Sequence, residues 1–434
     1  MRISTVTMFE QSTASMNRQQ SELMQVSQQI ASGRRVVNPS DDPQAASRAV
    51  GVDQAKAVTE QYSDSRIAAR NSLSQTESIL NSISDAVTSA KTLLIQASSD
   101  TLSNVDRESI ASELKGVYET MLGQANATDG NGRYLFGGYK DNAPPFVKDG
   151  NESVQYNGDS NAREQRVDAS RLMPVNDNGE TIFKGVPSGA GYIAESIKTD
   201  GQGERIVGIG ARNAGNVTFA GPQTLDVSAE GYGESYRILF TENTDPTSES
   251  GFDYQVQRFD EGAWEAVDLE GDGVTINPYT GNDQQLSFGG LNVTLSGTPG
   301  DGDQILVAQA GGDVRGADLF RTMEEAIRVL DNPVETDAGK ADLRNTLNTA
   351  MRDLDNSLDN VLTVRASAGA RLNELDVIDA VGSNRMLNYE QTLSDLVDLD
   401  YAEAISEYSL RQVGMQAAQK AFVDIKGLSL FNYM

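Results

Sequence analysis

The chain of 434 residues contains no cysteine and no histidine. The first absence excludes a disulfide framework, a thiol nucleophile and a Cys/His zinc site. The second removes the commonest general base of enzyme active sites. Catalysis would have to rest on carboxylates, and no constellation of them stands out, so a catalytic residue, a metal or a cofactor is not expected. Positive charge is also scarce: 35 Lys and Arg stand against 63 Asp and Glu, a formal net charge of −28. A surface of that sign repels phosphates, which argues against nucleic-acid partners and against attraction to anionic membranes. No stretch approaches the roughly 20 apolar residues of a membrane span. The start, Met1-Arg2-Ile3-Ser4-Thr5, has one Arg but no apolar core and does not read as a secretory signal. The expectation is a protein that stays in the cytoplasm or leaves by a route that reads no cleaved signal. A chain without thiols suits departure unfolded and unoxidised.

Proline is present but confined. Eight of the 11 prolines lie between Pro144 and Pro299, none falls in residues 44–143, and none follows Pro333. Proline breaks helix interiors at a cost of about 3 kcal/mol, so the proline-free flanks permit long helices. Their periodicity agrees. Leu73, Leu80, Val87 and Leu94 recur every seven residues, with Ile83, Ala90 and Ala97 beside them. Ile110, Leu114, Val117 and Met121 continue in a second helix after a break near Ser98. On the far flank, Phe320, Met323, Ile327 and Leu330 mark a short helix. Leu347, Leu354, Val361, Ala368, Leu375, Gly382, Tyr389 and Leu396 then keep one heptad register.

The extreme ends carry matched stripes. Phe9, Met16, Leu23 and Ile30 are spaced by seven, as are Tyr401, Tyr408, Met415 and Phe422, with Ala404, Ala418 and Ile425 offset by three. Such spacing places side chains on one helix face and suits helix-on-helix packing. The stripes are incomplete, because Gln19, Gln20, Ser27 and Asp379 fall at or near seam positions. An isolated helix of this kind is marginal in water, so some faces are expected to wait for neighbouring subunits. Leu410 and Phe422 are expected to be needed for such contacts. Between the first stripe and the long helix, Ser32-Gly33-Arg34-Arg35 ends one helix with Gly at its C-cap and two cations at its negative pole. Asn38-Pro39-Ser40-Asp41-Asp42-Pro43 starts the next, with Asp42 as N-cap and Pro43 in the first turn.

The middle is rich in Gly, Asn, Asp and Pro with short alternating runs. Runs beginning at Tyr236, Phe252, Leu291 and Gln304 read as strands separated by turns. Asp268, Glu270 and Asp272 hint at a calcium loop, but the required terminal Glu is replaced by Tyr279, and a solvated turn is the better reading. Gly130-Asn131-Gly132 is read as a tight turn entering the β region rather than a phosphate loop. The expected fold class is α+β and multidomain: a long α-helical bundle or coiled coil formed by the N- and C-terminal flanks, with an inserted antiparallel β domain. Terminal helices occupy residues 1–40 and 400–434 and the long-helix bundle residues 41–138 and 313–399. The β-rich insertion occupies 139–312, in two lobes dividing near residue 205.

Three stretches resemble a known family. They are the opening Met1-Arg2-Ile3-Ser4-Thr5 with Met8-Phe9-Glu10, the run of residues 32–43 described above, and the ending from Asp398 through Tyr401 to Tyr433-Met434. Tyr134-Leu135-Phe136-Gly137-Gly138 adds a fourth, weaker match. Together they are similar to the flagellin family of bacterial flagellar proteins, in its hook–filament junction branch, over the helical flanks. The resemblance implies a structural subunit, not an enzyme, in a thin helical layer made with copies of itself. It implies contacts to an adjacent hook-associated junction protein on one side and to flagellin on the other. It also implies type III export with a cytoplasmic chaperone on the C-terminal helix, an inner tube built from the terminal helices, a second shell of long helices and a β insertion facing solvent. Flagellin itself, or a secreted coiled-coil adhesin or effector, remains an alternative at this point.

Overall fold

A computed structural model describes residues 5–150, 153–206, 212–244, 250–332 and 334–431. Helices α1 (Thr5–Ser32), α2 (Pro43–Ala97) and α3 (Asn104–Ala125) open the chain. Two hairpins follow, β1 (Phe146–Lys148) with β2 (Val154–Tyr156) and β3 (Glu164–Asp168) with β4 (Arg171–Pro174). After the short α4 (Gly179–Phe183) come β5 (Tyr192–Glu195), β6 (Thr218–Thr224), β7 (Ser235–Glu242), β8 (Phe252–Asp260) and β9 (Ala263–Ala266). The β region ends with β10 (Asn277–Tyr279), β11 (Gln284–Phe288), β12 (Leu291–Ser296) and β13 (Gln304–Gln309). Helices α5 (Leu319–Asp331), α6 (Asp337–Val397) and α7 (Tyr401–Phe431) close the chain. The fold is therefore α+β, with helical flanks around inserted antiparallel sheets.

The chain divides into two compact units, and the division falls inside α2 and α6. One unit holds Met1–Ile67, Arg166–Arg171 and Leu375–Met434; the other holds Ala68–Gln165 and Leu172–Glu374.

The second unit contains the main helical core. Leu80, Val87 and Leu94 of α2 meet Leu114 and Met121 of α3, Met323 and Leu330 of α5, and Leu347, Leu354 and Val361 of α6. Fully burying each such side chain contributes about 1.5–3 kcal/mol. Helix α3 starts at a reciprocal cap: Ser103 Oγ accepts from the Asp106 N–H at 3.2 Å, and Asp106 accepts from the Ser103 N–H at 3.1 Å. The first hairpin and α4 join this core through an aromatic cluster. The Phe146 ring lies 5.1 Å from those of both Phe183 and Phe320.

The remaining strands form two sheets over a second core. One has the order β10-β8-β7-β13-β5, with β9 on β8, and the other β11-β12-β6. Alternation sets the faces: Tyr236, Ile238 and Phe240 of β7 and Leu291, Val293 and Leu295 of β12 point into the shared core. The sheets do not divide near residue 205, where two lobes were expected to part. β5, which precedes it, pairs antiparallel with β13, Leu306 opposite Glu195, so strands on both sides of residue 205 belong to one sheet. A pairing across more than 100 residues leaves no trace in local spacing. At the sheet edge, the Asp268 carboxylate accepts the Gly271 and Gly273 N–H groups, both at 2.7 Å, as a solvated turn requires.

Candidate assembly surface

The first unit brings the first and last helices of the chain together. Helices α1 and α7 pack along each other, with the Phe9 and Phe422 rings 5.1 Å apart and inclined by 41°. Met16, Leu23 and Ile30 are half-buried on α1, and Tyr408, Met415 and Phe422 are half-buried on α7. Val26 and Ala404 are the well-buried apolar residues of the pair among the described side chains. Val26 is absent from the seven-spaced stripe, but its offset of three from Leu23 is the signal that places it on the seam. Of the polar residues near that seam, Gln19 is the one held in it, its Oε1 buried without a hydrogen-bond partner among the described residues, while Gln20 and Ser27 face solvent. An ion pair between Arg411 and Glu22 crosses the pair, and Glu407 braces Arg411 from its own helix at 2.9 Å. Ile425 belongs to α7, but its side chain lies outside the described residues.

The α1–α2 and α6–α7 connections lie against each other. Gly33 takes φ +69°, the left-handed conformation that ends α1. The Tyr401 hydroxyl sits 2.9 Å from where a Cβ on Gly33 would stand, so Tyr401, half-exposed, covers this turn rather than extending the seam. The Leu399 N–H donates to Gly33 O at 3.0 Å, the Arg35 N–H donates to Val397 O at 2.7 Å, and Arg34 and Asp398 form an antiparallel bridge. The side chain of Arg34 is exposed. Arg35 does not serve the negative pole of α1 as the spacing suggests. Once the chain reverses at Gly33, its guanidinium donates to Leu396 O at 2.6 Å, in the last turn of α6, and to Asp42 at 3.3 Å. It thus satisfies a terminal carbonyl of a different helix.

The two aspartates of the turn have separate roles. Asp41 accepts the Val37 and Asn38 N–H groups, at 3.1 and 2.8 Å. Asp42 caps α2 by accepting the Ala45 N–H at 3.0 Å. That bond first, and Arg35 beside it, hold the Asp42 carboxyl below the usual carboxylate range. Asp400 caps α7 in the same way, accepting from the N–H groups of Ala402 and Glu403.

Asp379, a seam position in the heptad of α6, is explained by Arg66 of α2. The two form an ion pair, and Arg66 also donates to Val167 O at 3.1 Å. Gly382, another seam position, leaves room for the guanidinium: a Cβ there would come within 2.7 Å of Arg66 Nη2.

Much apolar surface stays uncovered. On α7, Ile405, Val413 and Val423 are exposed, and Leu410 is 74% exposed. Val377, Val381 and Leu387 of α6 and Val50 and Ile67 of α2 are exposed in the same unit. Among the described residues, no helix is long and apolar enough to cross a membrane and no cluster of carboxylates is arranged to hold a metal ion.

Residues 3–141 match the family described as the bacterial flagellin N-terminal helical region. The matched span holds α1, the capped turn, α2 and α3, so this part of the chain is similar to the flagellin N-terminal region. Flagellar hook-associated protein 3 of Escherichia coli is 32% identical over 432 residues, 99% of each chain. The protein of the same name from Salmonella typhimurium is 29% identical over the same span. The chain belongs to the flagellar hook-associated protein 3 family. Among solved structures, Xanthomonas campestris FlgL is similar at 26% identity and TM-score 0.61, covering 79% of this chain and 99% of that one. Flagellar hook associated protein-3 from Legionella pneumophila is similar at 25% identity and TM-score 0.65, covering 80% and 98%.

Proposed function

We propose that this protein is a structural subunit of the bacterial flagellum that forms the junction layer between the hook-associated zone and the flagellin filament. The observation that carries the reading is the α1–α7 pair. It seals one seam with Val26, Ala404 and the Phe9–Phe422 contact, yet keeps Ile405, Leu410, Val413 and Val423 in water. Exposed apolar residues along a helix that already has one partner mark a surface for further partners. Copies of α1 and α7 contributed by residues 1–40 and 400–434 supply those partners and line the inner tube. Head-to-tail contacts that do not close on themselves give a helical array. The hook-associated junction protein meets this layer on one side and flagellin on the other.

The role is mechanical, and the chain is not an enzyme. Full-length kinship to proteins named for hook association favours this reading over flagellin itself. The protein reaches the outside by type III export, and a cytoplasmic chaperone covers the apolar face of α7 until then. Deletion of the gene tests the assignment: cells should keep intact hooks, lack filaments, shed flagellin into the medium and lose motility. Normal filaments on the deletion strain would refute it.

A further inference from the structure

A small, partly open cavity of about 20 Å³, room for one small occupant, is lined by residues of β5, α5 and α6. Its charge is unusual for a chain of net −28. Four arginines line it, Arg205, Arg212, Arg315 and Arg321, against three carboxylates, Glu195, Glu325 and Asp353, which leaves one positive charge in excess. The next ring of charges does not remove the excess. Arg328 lies between Glu325 and Asp342, and Lys184 pairs with Asp318.

The carboxylates are already committed. Asp353 holds Arg315 with two parallel bonds, Glu195 is shared by Arg315 and Arg205, and Glu325 pairs with Arg212. Two guanidinium groups are left short of acceptors. Arg321 donates to the carbonyl oxygens of Arg315 and Gly316, both neutral, at 3.2 Å. The Nε–H of Arg205 is buried with no hydrogen-bond partner among the described residues. Burial first, and the neighbouring charges of Arg321 and Arg315 second, push the Arg205 guanidinium well below its ordinary pKa. A cluster of buried cations with too few counter-charges is costly, and an unmet donor within it adds to that cost.

We propose that this cavity binds one small monovalent inorganic anion of the halide class, held by Arg205 Nε and Arg321. Such an ion cancels the excess charge, accepts the unmet N–H and fits the space. A water molecule would meet the N–H but leave the charge.

The full-length protein can be crystallised with sodium bromide and the anomalous scattering of bromide measured. A peak within hydrogen-bond distance of Arg205 Nε is expected; no peak there overturns the proposal. In solution, thermal midpoints are compared in sodium chloride and in sodium gluconate at equal ionic strength. Chloride should raise the midpoint by about 2–4 °C, saturating with concentration. Arg205→Met should abolish the difference. Glu195→Gln, which adds to the positive excess, should move saturation to lower chloride. A chloride effect that persists unchanged in both variants would mean general salt action and would sink the site. If Arg205→Met fails to fold, Glu195→Gln and the bromide peak still decide the matter.

Discussion

Leu410 and Phe422 sit on the same helix but in different surroundings, and substitution should separate them. Leu410 is 74% exposed, so Leu410→Asp removes little buried surface within the chain and should alter monomer stability by less than about 0.5 kcal/mol. It would nevertheless place a carboxylate in any apolar contact made there by a neighbouring subunit, at a cost of several kcal/mol, and filament attachment should be lost. Phe422→Asp also breaks the ring contact to Phe9, so it should loosen the α1–α7 pair in the monomer as well as abolish attachment. Urea melts beside motility assays check both, and motility retained with Leu410→Asp would remove that residue from the assembly surface. Asp379 presents the opposite case, a polar residue that looks like a flaw in a heptad and is not. Its partner Arg66 keeps only 3% of its side chain in water. Asp379→Ala would leave that cation buried and uncompensated, a loss of about 3–5 kcal/mol. A urea midpoint equal to that of the unaltered chain would show that Arg66 finds another counter-charge.

At the scale of elements, caps decide where helices begin. Ser103→Ala removes the Oγ that satisfies the Asp106 N–H and should destabilise the unit around α3 by about 1 kcal/mol, read from thermal melts. The cap of α2 is sensitive to pH. Because Asp42 titrates lower when folded than when unfolded, its contribution is fully present above the unfolded value near 3.8 and is lost as pH falls through the folded value. Amide exchange at Ala45 and Ala46 should therefore rise, relative to mid-helix amides, on going from pH 5 to pH 3. An unchanged ratio would mean that the cap is held by something other than the carboxylate. These elements were legible from the chain alone. The break between α2 and α3, the Asp42–Pro43 start of α2, the buried stripe from Leu347 to Leu375 and the strands at Tyr236, Phe252, Leu291 and Gln304 all follow from period and capping chemistry. What escaped was long-range. The partner of Arg35 is a carbonyl 361 positions away, the β5–β13 pairing joins distant segments, and the crossing of Arg66 at Gly382 depends on which two helices meet. Local spacing carries the element and its face, but not the identity of the surface it meets.

For the whole molecule, stability is unevenly distributed. Leu80, Ile83, Leu114, Phe320 and Leu354 are sealed from water in the helical core of one unit, whereas α1 and α7, of 28 and 31 residues, share a seam with little fully buried apolar surface. Ordering a residue costs about 1–2 kcal/mol of backbone entropy, and a half-buried stripe offsets less of this than a closed core does. Local opening should follow that difference, with the terminal pair separating far more often than the core unfolds. The isolated protein should thus be cleaved by a dilute protease within about the first 40 and last 35 residues, in seconds to minutes, while the segment between them survives. In assembled flagella, where copies of α1 and α7 cover Ile405, Leu410 and Val413, the same sites should resist. Mass spectrometry of fragments from the two states makes the comparison directly. If the tips of the free protein resist the protease as well as those in flagella, the pair is already complete within one chain and the uncovered apolar side chains of α7 have no assembly role.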